Sequence, residues 1–205
     1  MITRNIFAIW QGEDMKIKKT YLPDVLLFTP TVHRDKRGYF LEMFQTQKIS
    51  QAIGEVDWTQ DNLSRSDRGT VRGLHFQWPN PQGKLVSVVH GKIFDVAVDV
   101  RIGSPFFGEW VGQTLDDKLH QQFWIPPGFA HGFQALTDVT VVHYKCSENL
   151  WSPENEVTIR FNDSKIGIEW PLPVTRTHIR DKDAPLLESL EILPKFDDCL
   201  SHVRH

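Results

Sequence analysis

Cysteine is scarce: Cys146 and Cys199 are the only two in 205 residues, too few for a disulfide framework, so packing must hold the chain together. A reducing cytoplasm is the expected compartment. Long apolar runs are missing as well. None approaches the roughly 20 residues that cross a bilayer, so no membrane partner is expected. The opening segment MITRNIFAIWQGED holds a short apolar stretch and then turns acidic, which is not the pattern of a secretory signal. Nor is there a basic excess. Lys and Arg total 23 against 26 Asp and Glu, a formal net charge of −3, and no broad basic stripe invites nucleic acid. A small phosphorylated ligand stays admissible, because a few well-placed arginines suffice to hold one.

Helical periodicity is weak, with short helices expected over 46–53 and 185–190. In its place are short strands parted by Gly and Pro turns across about residues 22 to 162. An apolar run at 25–28 ends at Thr29-Pro30, a turn follows at Asp35-Lys36-Arg37-Gly38, and 39–44 resumes as a strand. Residues 92–101 alternate most cleanly, with Phe94, Val96, Val98 and Val100 against Asp95, Ala97, Asp99 and Arg101. That spacing puts the carboxylates on the face opposite the apolar one, where solvent is the default environment. Residues 139–145 are rich in β-branched side chains and read as another strand. With 40% apolar and 24% charged residues, the chain has an ordinary globular composition. The expectation is an all-β jelly roll with a few short peripheral helices. It forms one domain over 21–193, preceded by an N-terminal extension (1–20) and followed by a surface tail (194–205).

Three stretches put reactive side chains beside turn-forming residues. The first is Val71-Arg72-Gly73-Leu74-His75-Phe76-Gln77, followed by Gln82-Gly83-Lys84. The second is Ile125-Pro126-Pro127-Gly128-Phe129-Ala130-His131-Gly132-Phe133, and the third is Val142-His143-Tyr144-Lys145. A Gly/His segment followed by P-x-G-x-x-H resembles the cupin jelly roll, a double-stranded β-helix. Metal-binding cupins carry H-x-H in the first motif, whereas here His75-Phe76-Gln77 ends in an amide. A divalent ion would lose the imidazole that completes its shell, so neither metal nor other cofactor is expected. His75 and His131 are then free to move protons.

The resemblance becomes specific over about residues 22 to 190. The segments Arg37-Gly38-Tyr39-Phe40-Leu41-Glu42, Gln60-Asp61-Asn62-Leu63-Ser64, Val71–Gln77 and Gln82-Gly83-Lys84-Leu85-Val86 come first. Residues 94–101, Gly103-Ser104-Pro105, 124–133, Phe161-Asn162-Asp163, 167–171 and Asp181-Lys182-Asp183 follow in the same order. Together they resemble the dTDP-4-dehydrorhamnose 3,5-epimerase family. The resemblance implies an epimerase that inverts C3 and C5 of a nucleotide-linked 4-keto-6-deoxyhexose. Such chemistry needs a base on one face of the sugar, an acid on the other and a cation at the enolate oxygen. By resemblance, His75 is the base, Asp183 its orienting carboxylate, Lys84 the cation and Tyr144 the opposing donor. Arg72, Asp95 and His131 belong to the same site by resemblance. Arg37, Glu42, Gln60 and Asn62 are implied to hold the nucleotide, with Trp151 as a surface on which the base stacks. A homodimer is implied too, with residues before Pro23 crossing between subunits.

One geometric conflict accompanies this reading. Arg72 and His75 stand three apart, so a regular strand would send them to opposite faces. Gly73 between them is the natural place for a bulge that re-aims one of them. Inversion at C3 alone, another nucleotide sugar, a metal cupin and a non-catalytic sugar-nucleotide binding module are the competing expectations.

Overall fold

Period-two alternation builds two walls that face each other. The structure, a computed structural model, describes residues 7–11 and 15–200. One sheet has seven antiparallel strands: in spatial order β1 (Phe7–Gln11), β2 (Met15–Lys19), β3 (Leu26–Pro30), β11 (Gln122–Ile125), β8 (Lys84–His90), β13 (Thr140–Ser147) and β6 (Trp58–Ser66). The other has five: β10 (Trp110–Asp116), β9 (Lys92–Asp99), β12 (Phe129–Ala135), β7 (Val71–Gln77) and β14 (Glu156–Thr158). A small hairpin, β4 (His33–Asp35) with β5 (Gly38–Phe40), stands apart from both sheets. The jelly-roll expectation holds.

Three apolar clusters follow from which face each strand turns inward. Between the sheets, Val86, Val88 and Val142 from one wall meet Ile93, Ala97, Phe129 and Phe133 from the other. Each of these buried valine, isoleucine and phenylalanine side chains contributes roughly 1.5–3 kcal/mol. Behind the five-stranded sheet, Leu74, Phe76, Val96, Val98 and Val100 pack under Ile159, Ile166 and Leu187 of the C-terminal segment. Behind the seven-stranded sheet, Met15, Ile17, Leu26, Phe28 and Leu85 pack on Ile49 and Ile53 of α1 (Thr46–Ile53).

This layering corrects the solvent default for β9. Its two faces do alternate as the sequence says, but Asp95 and Asp99 are both fully buried because the second sheet covers their side. Asp99 is neutralised by Arg101 (2.7 and 3.0 Å) and by the Ser104 hydroxyl at 2.7 Å. The helix at 46–53 forms as expected, while 185–190 gives only a 3-10 turn, Leu187–Ser189. The strand expected over 39–44 stops at Phe40. Two segments expected at the periphery carry packing instead. Met15 and Ile17 are core residues. In α3 (Phe196–Leu200), Cys199 is buried, and the Arg101 guanidinium lies 4.8 Å from the Phe196 ring. The rest of the expected extension and tail, residues 1–6, 12–14 and 201–205, lies outside the described residues. Among the described residues, no helix is long and apolar enough to cross a membrane.

Candidate active site

A cavity of about 590 Å³ opens between the sheets, and both walls supply its polar lining. From the seven-stranded sheet come inward positions of three adjacent strands. In β6 the burial pattern alternates strictly, turning Gln60, Asn62 and Ser64 toward the cavity while Asp61, Leu63 and Arg65 face out. In β13 the inward series is Val142, Tyr144, Cys146, and in β8 it is Lys84, Val86, Val88. Register then sets the rows: Cys146 lies opposite Lys84 and Gln60, and Tyr144 opposite Val86 and Asn62. From the five-stranded sheet, β7 supplies Arg72 and His75, and β12 supplies His131 and Phe133.

The conflict between Arg72 and His75 is resolved by an irregularity in β7. His131 pairs with His75, but Phe133 pairs with Arg72, so three steps on β7 match two on β12. The extra residue lets both side chains enter the cavity. Gly73 takes φ +117°, and a Cβ there would stand 2.5 Å from the Gly132 Cα, so only glycine fits. The same irregularity turns the Gly73 N–H outward from the ladder, where it donates to Asp181 Oδ2 at 3.2 Å.

Asp181 is also the partner of the histidine. His75 Nε2 lies 2.7 Å from Asp181 Oδ1, which corrects the expectation of Asp183. The sequence Asp181-Lys182-Asp183 offers two carboxylates, separated by about 200° around the short helix α2 (Ile179–Lys182). Only one of them can face β7. Asp181 is buried, and Asp183 is the exposed C-cap. Burial alone would raise the Asp181 carboxyl, but the hydrogen bond and charge of His75, the Gly73 amide and Arg180 outweigh it and hold it below the ordinary range.

His131 and Asp95 form a second pair, with Nε2 to Oδ1 at 2.7 Å. Asp95 does not line the cavity. It sits wholly buried behind His131, so its place in the site is that of a supporting carboxylate one residue back from the cavity rather than of a residue lining it. Burial pushes the Asp95 carboxyl up, against the pull of His131, and pushes the His131 imidazole down. Burial likewise lowers the Lys84 ammonium, offset in part by Cys146, Glu156 and Asp95. The Tyr144 phenol is raised by burial and by Cys146. A poorly solvated ammonium gains most when negative charge arrives beside it, and a raised phenol keeps its proton until one is demanded.

Of the expected binding residues, Gln60, Asn62, Arg72, His131 and Trp151 line the cavity. Arg72 is braced by the Ser66 hydroxyl (2.9 Å) and the Arg65 carbonyl (3.1 Å). Gln60 donates to Asn62 (2.9 Å) and accepts from the backbone N–H of Trp151 (3.0 Å), which anchors the main chain that carries the half-exposed indole at the mouth. Arg37 and Glu42 are not brought there. Arg37 folds back on Asp35 of its own hairpin at 2.6 Å, and Glu42 pairs with Lys48 of α1 at 2.8 Å. Sequence reasoning missed Glu156, His178 and Arg180. His178, given no role from sequence, caps α2 through Nδ1 and lines the cavity. Glu156 sits on β14 beside Gln77 and puts Oε1 4.0 Å from His75 Nδ1. No motif marks any of the three, since long-range pairing of β14 with β7 and the fold of the C-terminal segment bring them in.

Known proteins resemble this chain over most of its length. The family model described as dTDP-4-dehydrorhamnose 3,5-epimerase matches residues 19–189. A dTDP-4-dehydrorhamnose 3,5-epimerase of Pseudomonas aeruginosa is 47% identical over 84% of this chain and 91% of its own. One of Methanothermobacter thermautotrophicus is 49% identical over 78% and 85%. A Legionella pneumophila dTDP-6-deoxy-D-glucose-3,5-epimerase, crystallised with dTDP-4-keto-L-rhamnose, superposes with a TM-score of 0.85 at 43% identity, covering 89% of this chain and 98% of that one.

Proposed function

Because the chain belongs to the dTDP-4-dehydrorhamnose 3,5-epimerase family, we propose that it inverts C3 and C5 of dTDP-4-dehydro-6-deoxy-D-glucose, giving dTDP-4-dehydro-L-rhamnose. The observation that carries the reading is the placement of His75 and Tyr144 on opposite walls of one cavity, with Lys84 on the strand next to Tyr144. The C4 ketone acidifies the hydrogens on C3 and C5. His75 removes one of them through Nδ1, because Asp181 already occupies Nε2. Asp181 holds the tautomer and stabilises the imidazolium that forms. The electron pair left on carbon moves to the C4 oxygen, where Lys84 meets the developing charge. Tyr144 then delivers a proton from the other wall, and the carbon is inverted.

Arg72 is the guanidinium suited to the diphosphate, and Gln60, Asn62 and Trp151 suit the nucleoside at the mouth. The working form is a cytoplasmic homodimer. Tyr39 and Phe40 on the hairpin are 53% and 71% exposed, an apolar surface that a second copy would cover. In that dimer the hairpin carrying Arg37, together with Glu42, reaches the nucleotide of the neighbouring subunit.

Incubation with dTDP-4-dehydro-6-deoxy-D-glucose in D2O, followed by NMR, tests the activity. The expected result is deuterium at both C3 and C5 with inverted configuration, and none with His75→Ala, which still binds dTDP. Deuterium at C3 alone makes the protein a C3 epimerase, and deuterium at neither carbon overturns the proposal.

A further inference from the structure

Two inversions on one sugar use the same base and the same acid twice. After the first, His75 holds a proton on Nδ1 and Tyr144 has lost one, so both must be reset before the second carbon reacts. The Nε2 side of His75 offers no exit. Asp181 is 2% exposed, and its other oxygen is taken by the Gly73 N–H. The proton must therefore leave on the cavity side, where, among the described residues, one carboxylate faces Nδ1: that of Glu156, with Oε1 at 4.0 Å. Its other oxygen forms an ion pair with Arg180 Nη1 at 2.8 Å. The Glu156 side chain is 11% exposed and Arg180 is 49% exposed, so the pair runs from the half-buried imidazole to the solvent edge of the cavity.

We propose that Glu156 is the proton relay that clears His75 between the two inversions, acting through His75 rather than on the sugar. This inference rests on the epimerase reading above. The substrate C–H bond breaks, its electron pair enters the enolate, and the proton forms an N–H bond at Nδ1. As the ring becomes cationic it draws the Glu156 carboxylate in, or shares one water with it, since 4.0 Å is about 1 Å beyond direct hydrogen-bond reach. The N–H bond then breaks, an O–H bond forms at Oε1, and the proton passes to water beside Arg180. A second water-borne proton returns to the Tyr144 phenolate, so the cycle closes without net gain or loss.

Glu156→Gln keeps the size of the side chain and its oxygen toward Arg180 but removes its basicity. In D2O, two initial rates are compared: inversion, and entry of deuterium into unreacted sugar without inversion. The second reports how fast the proton on His75 is exchanged before it returns to the carbon it left. A relay predicts that Glu156→Gln lowers the exchange-to-inversion ratio by about tenfold or more, with KM within about twofold of the unmodified enzyme. Glu156→Asp should recover part of the ratio, and formate added to Glu156→Ala should raise it. A carboxylate that only braces Arg180 or the ring would slow both processes together and leave the ratio unchanged, which overturns the proposal. So does absence of rescue by both aspartate and formate. An unmodified enzyme that neither exchanges nor inverts removes the epimerase reading itself, a failure distinct from a ratio that does not move.

Discussion

Two histidine–aspartate pairs stand on neighbouring strands, His75–Asp181 and His131–Asp95, with the two imidazoles at paired positions of the ladder. Each contact measures 2.7 Å. Their surroundings differ. His75 opens onto the cavity, and the second oxygen of Asp181 is satisfied by a backbone amide. His131 borders the same cavity but is only 7% exposed, and the second oxygen of Asp95 behind it is buried without a hydrogen-bond partner among the described residues. As a result Asp181 is held as a carboxylate, whereas burial drives both Asp95 and His131 toward their uncharged forms. Equal geometry thus gives one pair that can trade protons with a ligand and one that shapes the wall behind it.

The largest expected effect separates the two carboxylates of the Asp181-Lys182-Asp183 stretch. Asp181→Asn should lower kcat by about 10²–10⁴, the usual contribution of a general base with its support, with dTDP affinity preserved. Asp183→Asn should leave kcat within about twofold, and equal losses in the two variants would return the role to Asp183. Next comes Asp95→Ala, which strands His131 in the interior. Leaving a buried polar group without its hydrogen-bond partner costs about 1–3 kcal/mol, so denaturant unfolding should show a loss of that order, above the loss in Asp181→Asn. A smaller loss would mean that water reaches the inner pair.

The smallest effect is in pH dependence. The His131 imidazole lies below its ordinary 6.5, so on acidification the unfolded chain takes up that proton before the folded one does. Stability is therefore lost as pH falls below 6.5, and the raised Asp95 carboxyl offsets part of the loss by binding its proton earlier in the folded state. Asp181 acts in the same sense as His131 but in a lower window: its contribution is present above 3.8 and is lost as pH falls through the lower value it has when folded. Thermal unfolding followed below pH 6.5 should thus flatten in His131→Gln relative to the unmodified protein and keep its slope in Asp181→Asn.

The legible parts of the molecule were those set by local period. Alternation in 92–101 and the Gly/Pro turns announced the jelly roll, and Gly73 marked the irregularity that lets Arg72 and His75 share a cavity. Family pattern supplied Lys84 and Tyr144, which the inward series of β8 and β13 place on the same wall. What escaped depends on long-range packing. Burial of Asp95 and Asp99 comes from a second sheet that no period announces, and the choice between Asp181 and Asp183 depends on how a four-residue helix is rotated against β7. Arg37 and Glu42 show the reverse case. Their motif is clear in the chain, but in the folded chain they pair with Asp35 and Lys48.

Stacked β-sheets keep a gap of about 10 Å. His75 is fixed to one of these sheets and Tyr144 to the other, so the jaws of the site are the two halves of the core itself. Their opening is a property of the whole domain, much as a calliper is set by its frame. A six-membered ring slides between such jaws edge-on, while a thicker or doubly stacked guest does not. Loop changes at the mouth would then retune which nucleotide is gripped while leaving the gauge for the sugar untouched.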